Sequence, residues 1–223
     1  MAHGRTGHNL EVQTLKKRLL TLGAESAIYK VEYWGMTLAL KWRPIKPYLH
    51  NEIDKLLRTS RTSRECKMLT FVRTLGVPTP AVHSVDISNH LILMDFIEGQ
   101  QFKQLVSVSS KKRITTLCHE FGKLLGIMHM SDVVHGDPTT SNAVVDTQSK
   151  MWLVDFGLAE KNATIEMKGV DMHLLRRAYE TTHWNLQETM LESTMDGYIE
   201  ISGDDAEPVL IRADEIRERG RYH

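Results

Sequence analysis

The sequence predicts an α+β chain in two lobes, a strand-rich first lobe and a reduced, helical second one. Three observations carry that expectation. Residues 27–43, AIYKVEYWGMTLALKWR, alternate β-branched and aromatic residues on both sides of Trp34-Gly35, the pattern of two strands joined by a tight turn. From Lys111 to Met130 apolar residues recur at intervals of three and four, the period of a helix buried along one face. Between them, at Glu98-Gly99, strand pattern gives way to helical pattern, which places the lobe boundary there: residues 1–97 form the first lobe and 98–223 the second.

Taken in order, the strand pair at 27–43 leaves Lys41 near the end of its second strand. From Asn51 to Thr74 the pattern turns helical, with Ile53, Leu56, Leu57, Met68, Leu69 and Val72 as the apolar set and Gly76 with Pro78 as the stop. The polar stretch Thr59 to Ser63 predicts a break into two helices. The runs AVHSVDI (81–87) and HLILMDFI (90–97) flank Ser88-Asn89 and read as an antiparallel pair. In the helix from Lys111 to Met130, Ile114, Leu117, Phe121, Leu124, Leu125 and Met128 form the buried face. NAVVD and MWLVD, separated by Thr147 to Lys150, predict a hairpin. A further helix runs from about Val170 to Leu191, turning Leu174, Leu175, Ala178 and Tyr179 inward. Residues 200–207, EISGDDAE, read as an acidic loop before Pro208, and RADEIRERGRYH as a short charged closing helix.

Composition narrows the function classes. The chain has 223 residues, 41% hydrophobic and 25% charged, and a formal net charge of zero, so bulk charge supplies no case for wrapping nucleic acid or lying on an anionic membrane. No apolar stretch has the length of a membrane span and the N-terminus lacks an apolar signal core, which predicts an intracellular protein. Cys66 and Cys118 lie far apart with no metal-ligand spacing and read as free thiols. The eleven histidines include no HExxH or paired metal spacing.

The residues that carry chemistry arrive in a particular order. Phosphoryl transfer from a nucleotide needs a cation on the phosphates, oxygen ligands for Mg²⁺ and a carboxylate that orients the acceptor. Lys41, in LALK, has the place of a strand-borne phosphate lysine, and Glu65 in the next helix is a candidate partner for it. HGDPTTSN, residues 135–142, sets Asp137 and Asn142 in a D-x-x-x-x-N loop; Asp155 heads a D-F-G. Asn142 and Asp155 are the Mg²⁺ ligands if they end facing strands of the predicted hairpin. Each residue has a plainer reading. Lys41 alone is a solvated strand end, Glu65 a capping-box glutamate three residues after Thr62, and Asp137 and Asn142 turn formers. Their conjunction in one order predicts a protein-kinase-like fold.

Beyond that, HGDPTTSN, VDFGLA, GAESAIYK, RTSRE, GVPTP and IRERGR together resemble the small atypical kinase subunit of the KEOPS (EKC) complex, the p53-related protein kinase family, over nearly the whole chain from Leu22 to Arg221. The resemblance implies ATP and Mg²⁺ as cofactors. It implies an ATPase, also credited with serine/threonine kinase activity, that supports threonylcarbamoyladenosine formation at position 37 of tRNAs reading ANN codons. Lys41 would hold the α/β-phosphates and Asp137 direct the nucleophile. Gly23, Ala24, Glu25 and Ser26 would cover the phosphates, with Met94 and Phe96 at the nucleotide and Asp171 on the catalytic-loop backbone. Its implied partners are the threonylcarbamoyl-transferase subunit, through the second lobe and C-terminal tail, and a small regulatory subunit through the first lobe. Contact with tRNA would be indirect, in the cytoplasm and, in a eukaryote, the nucleus.

The chain departs from an ordinary protein kinase in ways that favour ATP hydrolysis. LGAESAIYK has a single glycine where G-x-G-x-x-G would stand, no A-P-E follows DFG, and Gly136 replaces the arginine of H-R-D. Pro138 replaces the family's usual leucine and fixes its own φ. Arg212, Arg217, Arg219 and Arg221 make the ending basic, either as a solvated helix end or as a tail toward a partner. Two other readings use the same residues: a small-molecule phosphotransferase of the aminoglycoside or choline kinase type, and a nucleotide-holding scaffold without turnover.

Overall fold

The computed structural model describes residues 17–219. The chain divides into two compact units, residues up to Ser63 with Ala81–Phe96, and Arg64–Pro80 with Ile97 onward. The first is built on an antiparallel sheet of β1 (Lys17–Leu22), β2 (Ala27–Tyr33), β3 (Met36–Trp42), β4 (Val82–Asp86) and β5 (Leu91–Asp95), in the order β1-β2-β3-β5-β4. Trp34 and Gly35 both have positive φ, 49° and 74°, which is the twist a two-residue hairpin turn requires. Alternation does the rest. Val31, Leu38, Leu40, Leu91 and Leu93 meet on one face as a buried cluster with Tyr29 and Tyr33 packed against it.

Helix α1 (Asn51–Thr74) is continuous, so the break expected at Thr59 to Ser63 does not occur. The hydroxyls that suggested it have other partners: Thr62 Oγ1 donates to the Arg58 carbonyl at 2.7 Å, and Thr59 Oγ1 lies 3.1 Å from His90 Nε2. The apolar set of α1 also divides. Met68, Leu69 and Val72 are buried, but Ile53, Leu56 and Leu57 are 53%, 68% and 40% exposed. In the first half of α1 the buried positions belong to Thr62 and to Asp54, whose carboxylate takes Arg58 as its partner.

The second unit takes the end of α1 and then β6 (Gly99–Gln101), α2 (Phe102–Val106), α3 (Lys111–Met130), β7 (Val133–Val134), β8 (Ala143–Asp146), β9 (Met151–Leu153), β10 (Glu160–Lys161), α4 (Ile165–Thr182), α5 (Gln187–Ser202) and α6 (Ala206–Arg219). Sheets β6-β8-β9 and β10-β7 are small. Against the expected division at 97/98, residues 64–80 group with this unit. The Leu153 N–H donates to the Pro78 carbonyl at 2.9 Å, and Arg64 pairs with Glu160 at 3.0 Å. Every residue expected on the inner face of α3 is buried, and Ser110 caps the helix by accepting from the Arg113 N–H.

Two expectations for the last third are corrected. The single helix from Val170 to Leu191 is two helices, α4 ending at Thr182 and α5 starting at Gln187. His183 makes the stop: its backbone leaves helical geometry at φ −130° and ψ 38°, while its ring is hydrogen-bonded to Thr140 Oγ1 at 2.9 Å. On α4, Leu175 and Tyr179 are buried, and Leu174 and Ala178 only partly so. Residues 200–207 are not a loop. The helix α5 runs to Ser202, one 3-10 turn covers Gly203–Asp205, and α6 begins at Ala206, before the expected closing helix. Pro208 falls in the first turn of α6, where its missing N–H is no loss. α5 lies very close to α3: a Cβ on Gly122 would stand 1.9 Å from the Thr194 carbonyl oxygen, and one on Gly197 1.9 Å from that of His119.

Candidate functional site

In the first unit, Lys41 is inside β3, opposite Ile28 and Ile92, and 1% exposed. A solvated strand-end lysine is thereby excluded, since a buried ammonium persists only with compensating partners. Met94 is buried on β5 beside Ala39, and Phe96 follows that strand with Lys30 Nζ 4.5 Å from its ring centroid. The turn Gly23 to Ser26 joins β1 to β2 and is closed by the Gly23 N–H donating to the Ser26 carbonyl at 2.9 Å. Two side chains from the far side of β3 reach it: Lys46 Nζ donates to the Ala24 carbonyl and Arg61 pairs with Glu25.

The second unit carries the D-x-x-x-x-N loop. Asn142 Nδ2 donates both to the Asp137 carbonyl, at 2.9 Å, and to Asp137 Oδ2, at 2.8 Å. With the amide nitrogen so used, the amide oxygen is what Asn142 has to offer a hard cation, and the donor set fits Mg²⁺ on that ground. Asp155 follows β9 at φ +63°, a left-handed backbone uncommon outside glycine, asparagine and aspartate. The expected hairpin is present: the Val154 N–H donates to the Asn142 carbonyl at 2.9 Å, and Ala143 pairs with Leu153. The ladder thus leaves Asp155 one residue beyond the partner of Asn142, and Asn142 in turn holds Asp137. Among the described residues no group of three or more His, Cys, Asp or Glu is arranged to hold a metal.

Beneath this loop, Asp171 at the middle of α4 accepts from the His135 N–H at 2.6 Å and the Gly136 N–H at 2.8 Å, the role expected of it. His129 links the same carboxylate to α5, with Nε2 3.4 Å from Asp171 Oδ2 and Nδ1 2.9 Å from the Tyr198 hydroxyl. His135 is fully buried with its ring 4.6 Å from that of Phe156, and burial pushes its pKa down, so the ring is neutral. Pro138 sits at the centre of a three-residue turn closed by the Thr139 N–H donating to the Asp137 carbonyl at 2.9 Å. Such a turn has a central φ near −75°, within what proline adopts unaided.

Glu65 is 0% exposed and lies well inside α1. A capping-box role needs the third position of a helix, so that reading is excluded. Sequence reasoning did not single out Lys46, Asp54, Arg61, His129 or Tyr198. The only signal was Asp54 with Arg58 and Arg61 at helical spacing, ordinary for a solvated face.

The same organisation recurs in known proteins. Residues 46–188 match the family model described as the RIO domain. The chain is 40% identical over 212 residues to the KEOPS complex subunit Bud32 of Pyrococcus abyssi, covering 92% of this chain and 96% of the relative. The chain belongs to the Bud32 group of the RIO-domain family. It is 31% identical to the EKC/KEOPS complex subunit bud32 of Dictyostelium discoideum, covering 91% of this chain and 82% of the relative. With the probable bifunctional tRNA threonylcarbamoyladenosine biosynthesis protein of Methanosarcina mazei it shares 36% identity over 92% of its own length and 35% of the relative, so it spans about a third of that longer protein. Membership in the RIO-domain family bears out the kinase-like, two-part α+β fold expected from the motifs.

Other Bud32-group expectations meet mixed geometry. Arg212 pairs with Glu166 and Glu215, Arg217 with Glu180, and Arg219 with Glu166 and Glu215, so these arginines of the basic ending are engaged within the helical unit. Arg221 lies outside the described residues. Neither cysteine is in a disulfide, and burial pushes the Cys118 thiol up to about 12, which makes it inert. No helix among the described residues is long and apolar enough to cross a membrane.

Proposed function

We propose that the chain is a Mg²⁺-dependent, ATP-hydrolysing, kinase-like subunit of a KEOPS complex, supporting threonylcarbamoyladenosine formation at position 37 of tRNAs that read ANN codons. The observation that carries the reading is the pair Asp137 and Asn142, joined by two hydrogen bonds and set by Asp171 from below. In the proposed division of labour, Lys41 holds the α/β-phosphates with Glu65 orienting it, and Gly23 to Ser26 cover the phosphates. Met94 and Phe96 line the nucleotide. Asn142 and Asp155 take the metal, which when bound neutralises charge on the phosphates. Asp137 orients the attacking hydroxyl or water and receives its proton; the second bond from Asn142 keeps that carboxylate in one rotamer. The stretch Leu158 to Val170 is all that separates DFG from Asp171, which leaves little room for a peptide platform and favours water as acceptor.

The partner assignments extend this reading. The second unit and the C-terminal tail would take the threonylcarbamoyl-transferring subunit, and the first unit a small regulatory one. Support for the latter comes from Ile53 and Leu56, exposed on successive turns of α1.

The test is ATP turnover by the full chain, alone and with the transferring subunit, for the wild type and Asp155→Ala. We expect stimulation by the partner and a loss of about a hundredfold or more in the variant. Turnover unchanged by Asp155→Ala sinks the proposal. Phosphate appearing on an added aminoglycoside or choline would instead identify a small-molecule phosphotransferase, and nucleotide binding with no turnover a scaffold.

A further inference from the structure

Beyond the roles already assigned, a continuous polar chain in the first unit ends on the turn Gly23 to Ser26. It starts at His90, 3% exposed, whose carbonyl accepts from the Arg43 N–H at 3.1 Å. Arg58 Nη1 donates to His90 Nδ1 at 2.8 Å, which makes Nδ1 the acceptor and leaves the proton on Nε2 for Thr59 Oγ1. The other edge of Arg58 pairs with Asp54 at 2.6 Å. Asp54, 1% exposed, then accepts the Lys46 backbone N–H at 3.0 Å through its second oxygen. Lys46, fixed at its own backbone, extends its side chain to the Ala24 carbonyl. Arg61, one helical turn beyond Arg58, reaches Glu25 in the same turn.

The cavity among these groups, lined by Glu25, Arg43, Lys46, Asp54, Arg58 and Arg61, is only about 140 Å³. Sites for small molecules start at roughly 300 Å³, so the cluster is a framework and not a nucleotide pocket. What it acts on is the turn. A glycine-rich loop that closes over phosphates only on binding loses backbone freedom as it does so, which costs affinity. Here the turn has one glycine, its ends are closed by the bond from Gly23 to Ser26, and its two central residues are each tied to a cation.

We propose that Lys46 and Arg61 are positioning residues that strap the turn Gly23 to Ser26 in its phosphate-covering conformation, so that its ordering is complete before nucleotide arrives. The idea rests on the reading that this chain binds Mg·ATP. Both residues are half-buried and outside the apolar core, so they can be replaced without opening it, whereas Asp54 is too buried for a clean test.

The experiment measures Mg·ATP and adenosine affinity by titration calorimetry on the full chain, for the wild type, Lys46→Met, Arg61→Met and the double variant, with melting temperatures alongside. Ordering one or two backbone residues at the moment of binding weakens Mg·ATP about tenfold in the double variant, while adenosine, which has no phosphates to cover, stays within about twofold. Lys46→Arg keeps a donor for the Ala24 carbonyl and recovers most of the Mg·ATP affinity lost in Lys46→Met. Glu25→Gln weakens Mg·ATP as Arg61→Met does, and the two together cost no more than either alone. Mg·ATP affinity within about twofold of wild type in the double variant overturns the strap, as does an equal loss for adenosine. A wild type that binds no Mg·ATP would overturn the functional reading itself, a result distinct from either.

Discussion

Two loops proposed to serve phosphate chemistry differ in the room around them, and their glycines show it. In the turn Gly23 to Ser26, a Cβ on Gly23 would meet nothing closer than the Ser26 carbonyl oxygen at 3.5 Å, an ordinary contact, and the residue does not have a left-handed backbone. In the catalytic loop, Gly136 has φ +82°, and a Cβ there would stand 2.4 Å from the Leu158 carbonyl oxygen. The first loop is held by side chains that reach it from outside. The second is also gripped from outside, by the Asp171 carboxylate on two of its N–H groups, but it passes so close to the backbone after DFG that Gly136 has no room for a side chain. A glycine is replaceable where its Cβ position is open and irreplaceable where a neighbouring carbonyl fills it and φ is positive.

That contrast is open to measurement. The largest effect is expected at Gly136→Ala, which combines a disfavoured backbone with a clash against a carbonyl that side-chain rotation cannot relieve. ATP turnover should fall by about tenfold or more and the melting temperature should drop by several degrees, about 4 °C per kcal/mol. Near-normal turnover and melting in that variant would remove the basis of the comparison. Next comes Pro138→Leu. Proline fits the three-residue turn over Asp137 without strain, so turnover should change by less than about threefold; a gain of about tenfold, roughly 1.4 kcal/mol in barrier, would reveal a loop strained by proline. The smallest effect is expected at Gly23→Ala, where Mg·ATP affinity should stay within about twofold of wild type. A larger loss there would mean that the turn needs glycine's freedom after all, and the two loops would no longer differ in kind.

Much of this was legible in the residues. The hairpin at Trp34-Gly35, the pair at 82–95, the inner face of α3 and the hairpin between Asn142 and Asp155 all follow from periodicity and turn chemistry, because each element buries its apolar residues at the spacing its own geometry imposes. Helix α5 was not legible as a separate element. Its buried face includes Thr194, Gly197 and Ser202, residues small enough to let α3 approach, so its inner side carries little apolar periodicity. The stop between α4 and α5 carries no glycine or proline; His183 ends the helix because its ring has a partner, Thr140, from a distant part of the chain. Ile53, Leu56 and Leu57 mislead for the converse reason: they repeat like a core stripe and face outward, while Asp54 faces in.

By itself, the order of Lys41, Glu65, Asp137, Asn142 and Asp155 determined the kinase-like fold and the chemistry proposed for it, since a phosphoryl-transfer site needs those residue types in elements that local patterning already defines. Only the tertiary structure decided which plain readings failed. Burial turned Lys41 and Glu65 from surface candidates into interior charges, and Asp171 became the support of the catalytic loop through contacts 35 and 36 residues away in the chain. The straps from Lys46 and Arg61 belong to the same class. A hydrogen bond to a backbone carbonyl leaves no mark in the sequence of the residue that accepts it, so only the folded chain could bring the pair to the turn they hold.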